Sequence, residues 1–322
     1  MRFLPGRDRC RMAGPTCVND RFSENLQSIV DCRHFEASRT MILETDITKA
    51  VLATFGGDDG RLREVMTSLV RHLHDFARDV RLTPEEMHVG IEFLNAVVAT
   101  NSATHNETVL LSDVLGLSSL VCSESQYDDE ALLGPFWRMG APLLANGATI
   151  DQTGTGGVPL YVEGEAVDPD GGPIEGVEVH VWQASPVGLY ENQDPDQAEM
   201  NLRGRFMTDV QGRFAFHSIM PAGYPVPTHG PVGGLLRALG RHPMRPAHLH
   251  IMLYKPGRTT LITQMFVDDD EYLASDAVFG VKPALVGGYR PIDPDHPDAG
   301  FRLHRRFVLV PGEAILPTPP IE

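Results

Sequence analysis

Arg245-Pro246-Ala247-His248-Leu249-His250-Ile251-Met252-Leu253-Tyr254 is the stretch on which the reading of this chain turns. From His248 to Tyr254 it is rich in strand formers. A strand puts residues i and i+2 on one face, roughly 6–7 Å apart along the chain. His248 and His250 can therefore converge on one metal ion, imidazole being the commonest side-chain ligand. Arg245 sets a guanidinium three residues before the first ring.

Working outward, the same texture recurs through the second half of the chain. Leu160–Val167, Val177–Gln183, Arg205–Thr208, Arg213–His217, Leu261–Val267 and Arg302–Val310 are short runs of strand character. Turn-forming residues separate them, as in Asp168-Pro169-Asp170-Gly171-Gly172 and Asp209-Val210-Gln211-Gly212. No long helical pattern intervenes, so residues 123–322 are expected to form an antiparallel β-sandwich or barrel.

The first half has a different period. Leu62, Val65, Met66, Leu69, Val70, Leu73, Phe76, Ala77 and Val80 recur at three- and four-residue steps, which makes an apolar helical stripe. Thr83-Pro84-Glu85-Glu86 supplies an N-cap, a proline at the first helical position and a glutamate at the third. Met87, Ile91, Leu94 and Val98 continue a second stripe, and a third apolar segment stops at Gly116. The expected organisation is a variable, poorly ordered leader over 1–35, a small all-helical domain over 36–122, and the sandwich.

Composition narrows the function classes. There are 27 Lys plus Arg against 43 Asp plus Glu, a net charge of −16, which disfavours nucleic acid and anionic membranes as partners. No stretch approaches the roughly 18 apolar residues of a membrane span. Cys10, Cys17, Cys32 and Cys122 form no zinc-type pair. A cytoplasmic protein with reduced thiols is the simple reading.

Two histidines do not complete a metal site. A zinc hydrolase would want a third histidine, a cysteine or a carboxylate, and a ferrous oxygenase a facial carboxylate. His180, His217, His229 and Asp209 are available without distinctive context. Two of the seven tyrosines stand in unusual loops: Tyr190 in Pro186-Val187-Gly188-Leu189-Tyr190-Glu191, and Tyr224 between Gly223 and Pro225. Phenolate is a hard anionic ligand, and two of them would favour iron(III) over zinc. On residues alone, a metal-free sandwich that uses these aromatics for binding stays open beside the metal readings.

Leu133-Gly134-Pro135-Phe136, Gly188–Asp209 with Asn201-Leu202-Arg203-Gly204-Arg205 inside it, Pro221–Pro231 and Gly240–Pro256 together resemble the intradiol ring-cleaving dioxygenases. The similarity runs from about residue 40 to the end. It implies a helical domain that builds a homodimer interface, sometimes with bound phospholipid, ahead of a β-sandwich holding one iron(III) per subunit. By motif position Tyr190, Tyr224, His248 and His250 become the metal ligands. The resemblance also implies that Tyr224 leaves the metal as the diol binds and takes a substrate proton, while Arg245 stabilises the reacting ring. Gln264 falls beside the site.

Tyr224-Pro225-Val226-Pro227, Gly230-Pro231-Val232-Gly233, Gly240–Arg245 and Asp276–Lys282 look closer to the hydroxyquinol-cleaving branch than to the catechol or chlorocatechol branches. Leu110, Asp113, Leu133, Gly134, Pro135, Val226 and Val278 match substrate-wall positions. At its matching position the resemblance implies that Asp113 accepts a hydrogen bond from a third ring hydroxyl.

Overall fold

The computed structural model describes residues 44–125, 127–296 and 299–322. The expected leader, with Cys10, Cys17 and Cys32, lies outside them. Contacts divide the chain into two compact units, one ending at Ala96 and one beginning at Val97.

In the first unit, α1 (Glu44–Leu52) and α2 (Gly60–Asp79) precede most of α3 (Pro84–Thr100). Asp59 caps α2 by accepting the Leu62 N–H at 2.9 Å. Thr83 and Glu86 form the reciprocal capping box expected for α3: the Glu86 N–H donates to Thr83 Oγ1 at 3.2 Å, and the Thr83 N–H to Glu86 Oε2 at 2.9 Å. No residue of α2 is buried in the single chain, and Leu62, Leu69, Leu73 and Phe76 lie exposed along it.

The second unit begins upstream of the boundary expected at 122/123. It takes in α4 (Glu107–Val114) and α5 (Leu117–Ser123), which are separated by Gly116 at φ +75°. The reason is burial: α4 puts Glu107, Leu110, Asp113 and Val114 inside. Glu107 Oε1 accepts the Val232 N–H at 2.8 Å.

Ten strands follow among the described residues. They are β1 (Pro159–Val167), β2 (Glu178–Trp182), β3 (Arg203–Met207), β4 (Arg213–Ile219), β5 (Tyr224–Pro225), β6 (Met244–Arg245), β7 (His248–Tyr254), β8 (Leu261–Phe266), β9 (Tyr289–Pro291) and β10 (Phe301–Val308). One sheet runs β4-β1-β10-β9, the other β3-β2-β7-β8, and β5-β6 form a small ribbon. The sandwich is antiparallel as expected, except that β1 and β10 pair parallel from Leu160↔Phe301 to Val167↔Val308. A parallel pair needs a long crossover, and here nearly the whole domain supplies it. The short helix α6 (Pro231–Ala238) and the β5-β6 ribbon were not expected from the sequence.

The core lies between the sheets. Leu249, Ile251 and Leu253 of β7 meet Val179 and Val181 of β2, together with Leu160, Val162, Phe214, Phe216, Leu303 and Phe307 from the other sheet. Each such side chain contributes about 1.5–3 kcal/mol through burial. The alternate residues of β7 face away from this core. There Met252 joins Trp182, Phe136, Trp137, Tyr190 and Tyr224 in a second apolar cluster.

Candidate metal centre

Register on sheet β3-β2-β7-β8 sets up the histidine half of the site. His250 pairs with Trp182 on one side and Gln264 on the other, and His248 pairs with Phe266. The Trp182 ring stacks on His250 at 4.7 Å and 11°. His248 Nδ1 donates to the Pro246 carbonyl at 2.7 Å, which leaves the lone pair on Nε2. The two Nε2 atoms are 3.1 Å apart. Burial, reinforced by the Arg245 charge, lowers the His248 pKa to about 3. Burial and His248 hold His250 well below the ordinary histidine value. Both rings are therefore neutral, the form that ligates.

The tyrosine half comes from two loops. Tyr190 opens a single 3₁₀ turn, Glu191–Gln193, and its N–H donates to Gln193 Oε1 at 3.1 Å. Phe136 stacks on its ring at 4.4 Å. Tyr224 sits on β5, paired with Arg245 on β6. Gly188 lets the two loops meet: its φ is +78°, and a Cβ there would lie 3.0 Å from Tyr224 Cβ. The two phenol oxygens are 3.3 Å apart, and the Tyr224 ring is 5.5 Å from that of His248. Burial pushes both phenol pKa values up, that of Tyr190 furthest.

Two phenol oxygens and two neutral imidazoles thus converge in a buried pocket. Such a donor set fits a hard trivalent cation, whose charge would replace the solvation that burial denies two phenolates. Among the described residues no group of three or more His, Cys, Asp or Glu could hold a metal. His180, His217, His229 and Asp209 therefore do not complete a zinc-type set with the histidine pair.

Arg245 is buried beside this donor set. Its Nε and Nη2 donate to the Asp276 carboxylate at 3.1 and 3.2 Å, Nη2 also to Gln264 Oε1 at 3.0 Å, and Nη1 to His248 Nε2 at 3.1 Å. Gln264 is held in turn by donating to the Leu132 carbonyl at 2.8 Å. Burial is the largest single influence on Arg245 and opposes its charge, but Asp276 and the two tyrosines outweigh it, so its pKa ends above the ordinary value. Burial likewise raises Asp276, and Arg245 more than reverses this. The Val278 and Gly280 N–H groups donate to Asp276 at 3.3 and 2.9 Å. Sequence reasoning did not assign Asp276 to the site. The turn Asp276-Ala277-Val278-Phe279-Gly280 was its only signal.

A cavity of about 590 Å³ adjoins the centre. Asp113, Leu133 and Gly134 line it, and Gly134 carries it to the metal ligands, since a Cβ at Gly134 would lie 3.5 Å from His250 Cε1. Asp113 is 2 % exposed, and its Oδ2 has no hydrogen-bond partner among the described residues. Burial raises its pKa to about 6, partly offset by a hydrogen bond with Ser118 and by the Arg245 charge. Leu110, Val226 and Val278 are buried and Pro135 half-buried, but none of the four is among the cavity's lining residues.

Behind Tyr190 lies a second buried ion network, also missed from sequence. Arg203 is 1 % exposed, donates to Glu191 Oε2 at 2.7 Å and to the Phe136 carbonyl at 2.6 Å, and holds its guanidinium 5.6 Å from the Tyr190 ring centre. Arg138 binds the other Glu191 oxygen at 2.8 Å.

Comparison with known proteins agrees with this architecture. Residues 132–311 match the family model described as "Dioxygenase", and residues 59–131 match "Catechol dioxygenase N terminus". The chain belongs to the intradiol ring-cleaving dioxygenases. It is 44 % identical over 272 residues to a 6-chlorohydroxyquinol 1,2-dioxygenase of Cupriavidus pinatubonensis, covering 83 % of this chain and 97 % of that protein. It is 40 % identical over 265 residues to a hydroxyquinol 1,2-dioxygenase of Nocardioides simplex, covering 80 % and 90 %. The crystal structure of hydroxyquinol 1,2-dioxygenase from Pseudomonas putida DLL-E4 superposes with a TM-score of 0.73 at 39 % identity, over 84 % of this chain and 99 % of that one. Enzymes of this family are generally dependent on non-haem iron.

Proposed function

We propose that this enzyme cleaves hydroxyquinol (1,2,4-trihydroxybenzene) between its vicinal hydroxyl carbons, inserting both atoms of O₂ to give maleylacetate. One iron(III) per subunit would be held by Tyr190, Tyr224, His248 and His250. The observation that carries the substrate choice is Asp113. A carboxylate with an unpartnered oxygen lines the cavity that Gly134 joins to His250. A buried acceptor without a partner carries a desolvation cost of about 1–3 kcal/mol. The third ring hydroxyl, which catechol lacks, would relieve that cost. The names of the relatives support the same choice.

Iron(III) held by such a donor set would supply Lewis-acid chemistry toward the oxygens of a diol. The chain's own residues do the rest. Tyr224, as the phenolate that the metal would stabilise, would accept a proton from one diol hydroxyl at Oη and become a phenol. Arg245 holds a fixed positive charge where the ring gains carbanion character, and Asp276 and Gln264 prevent it from swinging away. Preorganised charge of this kind is worth roughly 2.7–4 kcal/mol per donor in well-studied enzymes. Trp182 and Phe136, stacked on His250 and Tyr190, keep water from the ligands.

The exposed apolar stripe of α2 supports a homodimer built through the helical unit, and the same stripe is the surface against which phospholipid acyl chains would pack. No helix of the described residues is long and apolar enough to cross a membrane, and a cytoplasmic location fits the cysteine usage.

Turnover of hydroxyquinol, catechol and 4-chlorocatechol by wild type and Asp113→Ala tests the reading. The variant is expected to lose more activity on hydroxyquinol than on catechol. Equal losses on the two, or a wild type that prefers catechol, would overturn it.

A further inference from the structure

The cavity beside the metal centre has a wall that neither the mechanism nor the family model accounts for. Thr318, Pro319 and Pro320 line it together with Asp113, Leu133 and Gly134. These three residues lie beyond 132–311, the span the dioxygenase family model matches. The chain from Glu313 to Pro319 has no regular secondary structure, so side-chain anchors and backbone hydrogen bonds must hold it.

Such anchors are present. Thr260 Oγ1 donates to the Ile315 carbonyl at 2.8 Å, and Asn106 Nδ2 donates to that of Pro320 at 2.9 Å. The Glu322 N–H donates to the Ala103 carbonyl at 2.8 Å, and Arg138 Nε donates to the Glu322 carbonyl. Between these last contacts Ile321 is 3 % exposed, inserted in the apolar cluster that holds Tyr190, Tyr224, Trp182 and Phe136. Asn106 is the informative member. Its Oδ1 accepts the Val109 N–H at 2.9 Å and caps α4, the helix that carries Asp113. One side chain thus sets the register between the tail and the helix bearing the substrate-facing carboxylate.

We infer that Thr318, Pro319 and Pro320 form a specificity-determining wall, fixed by Asn106 and Ile321, that limits the bulk of ring substituents the cavity admits. The inference rests on this cavity holding the diol, as proposed above. Two prolines suit the role, because a wall with few backbone conformations does not yield to an oversized ligand.

The test uses the full-length, iron-loaded enzyme with two variants that keep every anchor. Thr318→Trp narrows the cavity, and Pro319→Gly loosens and enlarges it. Each is assayed with hydroxyquinol and with a methyl-substituted hydroxyquinol, and diol Kd is measured calorimetrically without O₂. The kcat/KM ratio of substituted to unsubstituted diol should fall about tenfold in Thr318→Trp, the scale of a one-methylene misfit. It should rise in Pro319→Gly, and the Kd ratios should follow both changes. Ratios within about twofold of wild type in both variants, or equal loss on both diols, would overturn the wall. If the wild type cleaves catechol and not hydroxyquinol, the substrate proposal fails. The same ratios measured with catechol and methylcatechol then judge the wall on its own.

Discussion

The two faces of β7 divide the work of this enzyme. Leu249, Ile251 and Leu253 point between the sheets and are fully buried among aliphatic and phenylalanine side chains. His248 and His250 point the other way, equally buried, but among phenols, an arginine and a carboxylate. One face contributes stability without chemistry. The other places polar groups where burial is expensive unless each has a partner or a metal. The period of a strand lets a seven-residue segment do both, and packing on the first face fixes the geometry on the second.

Substitutions should separate the two faces. Ile251→Ala is expected to cost about 2–5 kcal/mol of unfolding free energy by leaving a cavity. The folded fraction should retain its iron content and colour. Chemical denaturation with metal analysis checks both. Loss of iron in proportion to stability would mean that the faces are not independent.

On the opposite face, Asp276→Asn keeps the shape beside Arg245 and removes its counter-charge. Activity should fall about 10–100-fold, the scale for groups that orient a metal site's neighbours. Iron content should stay near full, because Asp276 touches Arg245 rather than any proposed ligand. Steady-state kinetics with iron quantitation reads this, and unchanged kcat would remove Arg245's fixed orientation from the mechanism.

The smallest effect belongs to Asp113. Burial raises its pKa from 3.8 to about 6, so the folded state favours the neutral acid. The free protein is then most stable below pH 4 with respect to this group. It loses that contribution as pH rises through about 6, by a few kcal/mol in order of magnitude. Asp113→Asn should flatten this part of the stability–pH curve, and bound hydroxyquinol should partly restore stability above pH 6. A variant curve parallel to that of wild type would refute the assignment.

Much of this was legible in the chain. Alternation gave seven of the strands to within a few residues, and the capping box at Thr83–Glu86 appeared where its residues required. The convergence of His248 and His250 was evident because residues two apart on a strand share a face. Tyr190 and Tyr224 stood out by their loop context, but their meeting beside the histidines depends on two loops that close only in the folded sandwich. It was the resemblance to a family that joined them to the pair. Asp276 and Arg203 escaped for a related reason: each is a buried ion-pair partner, and Arg245 is 31 residues from the carboxylate it needs. Helix α6 begins Pro231-Val232-Gly233-Gly234, a weak helical signal, and is held by Glu107 from far upstream. The boundary at 122/123 followed a change of periodicity, whereas the contacts follow burial on α4. The tail over 313–322 carries no periodicity at all, so its placement could only come from tertiary anchors.

The central claim is that two phenolates and two imidazoles hold iron(III). Visible absorption of the purified, iron-quantified protein tests it most directly, alongside Tyr190→Phe. Wild type should be reddish-brown from tyrosinate-to-iron(III) charge transfer, with a band that shifts when hydroxyquinol is added without O₂. The Tyr190→Phe variant should lose iron or shift that band. A colourless wild type at full iron occupancy would contradict the ligand set.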